Sequence, residues 1–339
     1  MAVTVKDIAE AAGVIPATVS RALNDSPLVK DSTRLRILKL AKEMGYVTRA
    51  EAKLRKVSGS NVIGMVLTTI ADPFLPGVVG GAEQAAYESG YGLFLTTSHG
   101  NPDRELKVIE ALCKRHVDAL VIASMWGTGV HLADLARLRV PIVFVNHPVD
   151  DNRFRYVSVD DVAAARIATE HLVRLGHQRV GFVKSAGRPV GYVERRLEGY
   201  RQVLTEAGLE LDPRLEVLPE GQSDFHRGQA SLGMLLQAKA TAVVCYNDVT
   251  AFGVLKACHR MGLRVPEMLS VVGIDGVDGG EHMTPALTTV SQPRGQLGYK
   301  AVKKAMSLMK TLRQDWRGIQ NKLVEPSLVI RESTRHATF

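Results

Sequence analysis

Hydrophobic positions recur at two different spacings along this chain. Over roughly the first 45 residues the spacing is helical: Ile8, Ala11 and Ala12 make one apolar stripe, and Leu35, Leu38, Ala41 and Met44 make another. Thr4 followed by Asp7 is a capping-box pattern that opens a first helix, and Gly13 supplies a tight turn. Pro16 suits the first position of a second helix, where its missing N–H costs nothing. A third helix is predicted over about 31–44, closed by Gly45. From Asn61 the pattern changes. Short runs rich in Val, Ile and Leu, such as NVIGMVLTT, DALVIAS, PIVFVN, RVGFV, TAVVCYN and LSVVGID, alternate with amphipathic stretches at about 75–89, 103–115, 161–175, 193–207, 225–236 and 248–261. Apolar strands alternating with helices predict parallel sheets covered on both faces. Two such halves predict two doubly wound subdomains, with a ligand cleft at the carboxyl ends of the strands.

Between these regions the stretch YVTRAEAKLRKVSGS is polar and basic and ends in Ser-Gly-Ser, which reads as a linker. Residues 49–56 within it could form a helix too short to be stable without a partner. The predicted organisation is therefore an all-α helix-turn-helix headpiece at 1–45, a hinge and linker at 46–60, and an α/β core at 61–339. Within the core, one subdomain takes about 61–160 plus 291–322 and the other about 161–290 plus 323–339.

Charge sharpens this picture. The first 60 residues hold eleven Lys/Arg and six Asp/Glu, so +5 of the chain's net +8 lies there. A basic head on a nearly neutral body is the footprint of a phosphate-binding module, and the second helix presents Thr18, Ser20, Arg21 and Asn24, groups suited to phosphates and base edges. With 45% hydrophobic and 23% charged residues, the rest has the composition of a soluble globular protein. The sequence has no apolar run of 18 or more and no signal-peptide pattern, which predicts a cytoplasmic protein without a membrane partner.

Enzyme chemistry has little to rest on. There is no Walker loop, no GxGxxG after the first core strand, no GxSxG and no HExxH, so neither catalysis nor a cofactor or metal is expected. Cys113, Cys245 and Cys258 are far apart and read as buried free thiols. His171 and His177 read as structural. A solute-binding protein of a transport system is the other alternative; the core would suit it, but it would need an export signal and has no use for residues 1–60.

The ordered set TVKDIAEAAGV, ATVSRALN, EMGY, ADPF, VDALVI, TEHLVRLGH, RRLEGY, YND, GLRVPEMLSVVGID, TPALTTVSQP and LVEPSLVIREST resembles the lac repressor and galactose repressor family over almost the whole chain. The resemblance implies a core built like periplasmic sugar-binding proteins. It also implies a homodimer that represses carbohydrate genes at a near-palindromic operator on double-stranded DNA, under control of a small sugar-like effector. Release of DNA on ligand binding and corepressor-dependent binding of the purine type are both open. By position, Pro16, Ala17 and Arg21 would meet base edges, and Thr18, Ser20, Asn24, Thr33 and Tyr46 would meet phosphates. Val5, Ile8, Ala9, Val19 and Leu23 would form the headpiece core.

Two departures stand out. Similar proteins carry Ser at the cap of the recognition helix, where this chain has Ile15, which cannot cap. Similar proteins also wedge paired hinge leucines into the minor groove after an Ala-x-x-Leu pattern; here Leu54 follows Ala52 by only two residues. Leu54 is the candidate wedge, and packing against the core is its alternative role.

In the core, the resemblance implies a ligand site lined by Asp72, Phe74, Asn146, Asp160, Arg196, Asn247, Asp275 and Gln292. Carboxylates and amides suit hydroxyls, Arg196 can clamp two oxygens, and an aromatic face can stack on a ring. For any single Asp or Asn at a strand end, a helix N-cap or turn is the competing role. Lys184 and Arg188 would either favour an acidic ligand or serve as ordinary surface charge.

Overall fold

The computed structural model describes residues 4–23, 26, 28–44, 59–123, 129–138, 140–185, 191–311 and 319–337. The chain divides into two compact units, Met1–Ser60 and Asn61–Phe339. The roles expected of Asn24, Tyr46 and Leu54, and the short helix at 49–56, lie outside the described residues.

The first unit contains α1 (Val5–Ala12), α2 (Pro16–Leu23) and α3 (Asp31–Glu43). The capping box forms as the sequence predicts: the Thr4 hydroxyl accepts from the Asp7 N–H, and the Asp7 carboxylate accepts from the Thr4 N–H at 2.7 Å. Gly13 ends α1 at φ 63°, a left-handed conformation that glycine adopts without penalty. The core is Ile8, Ala9, Ala12, Val19, Ala22, Val29, Ile37 and Ala41, with Val5 and Leu23 among its partly buried neighbours. Two stripes need correction. Ala9, not Ala11, is the buried alanine beside Ile8 and Ala12. On α3, Leu35 and Leu38 are 68% and 43% exposed, and the inward face is Ile37, Leu40, Ala41 and Met44. The segment LRILKLA is apolar on more than one face, so spacing alone fits two stripes; packing against α1 and α2 selects the one centred on Ile37.

The second unit contains two six-stranded sheets. The first is built from β1 (Val62–Leu67), β2 (Gly92–Thr97), β3 (Ala119–Ala123), β4 (Ile142–Val145), β5 (Arg155–Val159) and β11 (Lys322–Val324), in the order β11-β5-β4-β3-β1-β2. The second takes β6 (Val180–Val183), β7 (Glu216–Val217), β8 (Ala242–Cys245), β9 (Ser270–Asp275), β10 (Thr288–Ser291) and β12 (Ser327–Val329), in the order β12-β10-β9-β8-β6-β7. Described pairings are parallel except that β12 runs antiparallel to β10. The intervening helices are α4 (Leu75–Tyr87), α5 (Pro102–Lys114), α6 (Gly129–Leu135), α7 (Asp161–Arg174), α8 (Tyr192–Glu206), α9 (Asp224–Gln237), α10 (Asp248–Arg260) and α11 (Arg294–Lys310). These are the alternating elements the hydrophobic pattern predicts. None of the described helices is long and apolar enough to cross a membrane.

The chain passes between the sheets three times: after β5, after β10 and between β11 and β12. The subdomain junction expected at 322/323 would cut β11, whose Lys322, Leu323 and Val324 pair with β5; Ser291 likewise pairs within the second sheet. Helix α11 returns to the first sheet and packs on α4 so closely that a methyl group on Gly298 would collide with the Val78 carbonyl.

His171 and His177 are structural, as expected. His177 bridges Thr241, Ser270 and the Arg335 carbonyl, and His171 meets the Thr334 hydroxyl, so both tie the 331–337 segment to the second sheet. Cys245 and Cys258 are buried free thiols, whereas Cys113 is only partly covered.

Candidate nucleic-acid interface and ligand cleft

Helix α2 buries Val19 and Ala22 and turns Pro16, Ala17, Ser20 and Arg21 outward, with Thr18 half-buried. The sequence sets this division, because positions 19 and 22 share a helical face and are the aliphatic ones facing α1 and α3. Ile15 precedes the helix and is 66% exposed; its carbonyl accepts the Thr18 N–H at 2.9 Å, but its side chain offers no cap. Thr33 lies half-buried in the first turn of α3.

In the core, the candidate ligand residues sit at or just past strand ends, apart from Arg196 on α8. Arg196 is the centre of the array. Its Nε donates to Asp161 at 2.8 Å, its Nη2 lies 3.6 Å from Asp275, and its Nη1 donates to the Tyr246 carbonyl. Its guanidinium also lies over the Tyr246 ring, 4.7 Å from the centroid. Burial by itself would lower the Arg196 pKa, but the carboxylates of Asp161 and Asp275 more than offset this and hold it above its ordinary value. The Gln292 amide donates to Asp275 at 3.1 Å, while its own carbonyl oxygen is buried with no hydrogen-bond partner among the described residues. Asp275 has φ 138°, a strained backbone for a residue with a side chain, and Gly276 follows at φ 70°. Asp248 secures this loop by accepting from the Val277 N–H at 2.8 Å and from the Thr289 hydroxyl at 2.5 Å.

The other candidates have local partners. Asn247 caps α10 and donates to Asp224 at 2.8 Å, and Asp224 also accepts from Ser185 at 2.8 Å. Asp160 caps α7 through the Ala163 N–H at 3.1 Å, and Asp72 accepts from the Phe74 N–H at 3.0 Å. Phe74 is 5% exposed and packs into the first sheet's core, so its ring does not form an open stacking face. Asn146 directly follows β4 and has φ 56°. His147 next to it is pulled down to about 4, chiefly by burial, with Glu105 opposing and Arg195 reinforcing the shift. Glu105 in turn holds His131 at 2.9 Å. Lys184 lies 3.8 Å from Glu216, a carboxylate that Arg201 also holds at 2.6 Å; Arg188 lies outside the described residues.

The carboxyl ends of the two sheets are joined by Arg294. Its guanidinium donates to the Pro73 carbonyl after β1 at 3.4 Å, to the Gly276 carbonyl after β9 at 2.9 Å, and to Asp278 at 2.5 Å. Sequence reasoning did not single out Asp161, Tyr246, Asp224, Asp248 or Arg294. Tyr246 and Asp248 flank Asn247 in the YND motif, but the motif does not reveal what they touch; Asp161, Asp224 and Arg294 lie outside the quoted motifs and acquire their partners through space.

Residues 4–49 match the profile of bacterial regulatory proteins of the lacI family, and residues 169–334 match a periplasmic binding protein-like domain. The chain is 30% identical over 333 residues to the ribose operon repressor of Haemophilus influenzae, covering 97% of this chain and 98% of that one. This chain belongs to the lacI family. The lacI-family assignment extends to solved structures. The transcriptional regulator CelR–cellobiose complex has a TM-score of 0.72 at 28% identity, covering 98% of this chain and 99% of that one. The lac repressor dimer bound to operator and the anti-inducer ONPF has a TM-score of 0.71 at 25% identity, covering 99% and 100%. As a lacI-family member, the protein is a DNA-binding transcription regulator with a helix-turn-helix headpiece and a periplasmic-binding-protein-like core.

Proposed function

We propose that this protein is a repressor that binds a near-palindromic operator as a homodimer and whose operator affinity is set by a small polyhydroxylated effector in the core cleft. The observation that carries the effector reading is the buried set Arg196, Asp275 and Gln292, in which the Gln292 carbonyl oxygen has no hydrogen-bond donor among the described residues. A buried acceptor of this kind is costly unless something donates to it, and a sugar hydroxyl is both donor and acceptor. Arg196 and Asp275 hold each other in place and can hydrogen-bond neighbouring hydroxyls of one ring. The charge of Lys184 does not decide the effector's charge, because Glu216 beside it is shared with Arg201; the neutral-effector reading rests on the sugars in the relatives' names. Asp72, Asn146, Asp160 and Asn247 contribute from the strand ends, Phe74 by shaping the wall from behind.

In the headpiece, Arg21 reads guanine, Pro16 and Ala17 offer apolar contact, and Thr18, Ser20, Asn24, Thr33 and Tyr46 hold phosphates. The names of the relatives support the effector class: one is a ribose operon repressor and another was solved with cellobiose. The test is binding of the full chain to DNA from upstream of its own gene, repeated with sugars, sugar acids and purines. Release by a neutral sugar is the expected result. Tightening by a purine would establish corepressor control, and a response to acids alone would overturn the neutral-effector reading.

A further inference from the structure

The leading edge of the recognition helix is apolar. Ile15, Pro16 and Ala17 are three successive exposed residues, and none has a side-chain group that can hydrogen-bond. Ile15 is the largest of them, and at 66% exposure it is absent from the headpiece core, where Val14 packs instead. A β-branched aliphatic at this position forgoes the capping bond that Ser or Thr would make. The fold therefore gains neither a cap nor core packing from Ile15.

In a helix-turn-helix the N-terminal residues of the second helix approach base edges in the major groove. An aliphatic group there can distinguish bases by one feature, the C5-methyl of thymine. Further along α2, Ser20 and Arg21 are exposed and polar. The helix is thus divided lengthwise into an apolar end and a hydrogen-bonding end. We propose that Ile15 is a specificity-determining residue that packs on a thymine C5-methyl group in each operator half-site, adjoining the bases read by Arg21. This rests on the operator-binding reading above and adds a contact from a position where similar proteins carry Ser.

The experiment uses the full chain and DNA that it selects itself from a randomised double-stranded pool. Each dT of the selected half-site is then replaced singly by deoxyuridine, which removes the methyl and leaves base pairing intact. Removing one buried methyl-sized contact should weaken the wild-type protein about fourfold per half-site, from about 0.8 kcal/mol per group. Ile15→Ala should bind the dT and deoxyuridine forms of that position equally while keeping its guanine preference. Ile15→Val, which retains the branched methyls, should keep part of the difference and guards against a folding defect in the alanine variant. The proposal is overturned if no deoxyuridine substitution weakens the wild type, or if Ile15→Ala keeps the full difference. A pool that returns no preferred sequence would instead overturn operator binding itself, which separates the two failures.

Discussion

Arg196 and Asp161 form an ion pair of 2.8 Å with side chains 4% and 3% exposed. The two come from neighbouring helices of the second subdomain, α8 and α7, and the pair orients the guanidinium toward Asp275. Removing one partner of such a pair leaves an uncompensated buried charge, which typically costs about 3–5 kcal/mol. Asp161→Ala should therefore lower the unfolding free energy measured in urea by that order. Arg196→Ala should abolish the effector response in a calorimetric titration while DNA binding persists; an unchanged response would reject the cleft assignment.

Arg294 spans the carboxyl ends of both sheets, so its loss should loosen the cleft more than the fold. Asp278 is 87% exposed, and an exposed pair contributes only about 0–1 kcal/mol. Asp278→Ala should be nearly neutral in stability. Arg294→Ala also removes the bonds to Pro73 and Gly276 and should shift the scattering profile of the free protein toward a more open form. Identical profiles for wild type and Arg294→Ala would show that the latch does not hold the cleft.

Acid should weaken the core through its histidines before its carboxylates. His147 is lowered to about 4, and His171 and His177 are also lowered, in each case mainly by burial. The unfolded chain takes up these protons near the ordinary 6.5, whereas the folded chain resists them. Their contribution is thus fully present above pH 6.5 and is lost as pH falls toward 4. For His147 the lost stability is about 3 kcal/mol. Asp212, held below its ordinary range by Arg214 and Arg179, acts only at lower pH. Denaturation midpoints between pH 7 and pH 4.5 should fall in the wild type and fall less in His147→Asn; parallel curves would remove His147 from this account.

Arg21→Ala should lose sequence preference more than overall affinity, because a bidentate guanine contact discriminates by about 1–3 kcal/mol. Binding by the wild type should weaken steeply with salt as phosphate contacts displace counterions. Equal weakening of Arg21→Ala on selected and random DNA would make Arg21 a phosphate contact instead.

Much of the fold was legible because local chemistry and hydrophobic period agreed. Asp160 and Asn247 cap helices just past apolar strands, Asn101 and Ser223 cap helices a few residues further from theirs, and the helices begin there. The α3 stripe was misread because Leu35, Ile37, Leu38 and Leu40 satisfy more than one face, and only packing decides among them. In the cleft, strand-end residues could be named from their motifs. The roles of Asp161, Tyr246 and Asp248 could not, even though the last two stand in the YND motif, since a buried ion pair, a ring under a guanidinium and a loop clamp are relationships between segments distant in sequence. Phe74 shows the converse: its position was visible, but its burial in the first sheet's core was not.

The order in which the two sheets are completed bears on how the protein is made. Strand β11 joins the first sheet beside β5, and β12 joins the second beside β10, yet both are translated after every other described strand. Domains emerging during synthesis tend to fold from the N-terminus. The headpiece, whose described core uses residues up to Met44, has all its packing partners early. The first sheet must wait for α11 and β11 with its β5 edge unpaired. A nascent chain therefore carries a finished reading head on an unfinished body, and slowing translation across α11 would prolong the interval in which that open edge can capture a neighbouring strand.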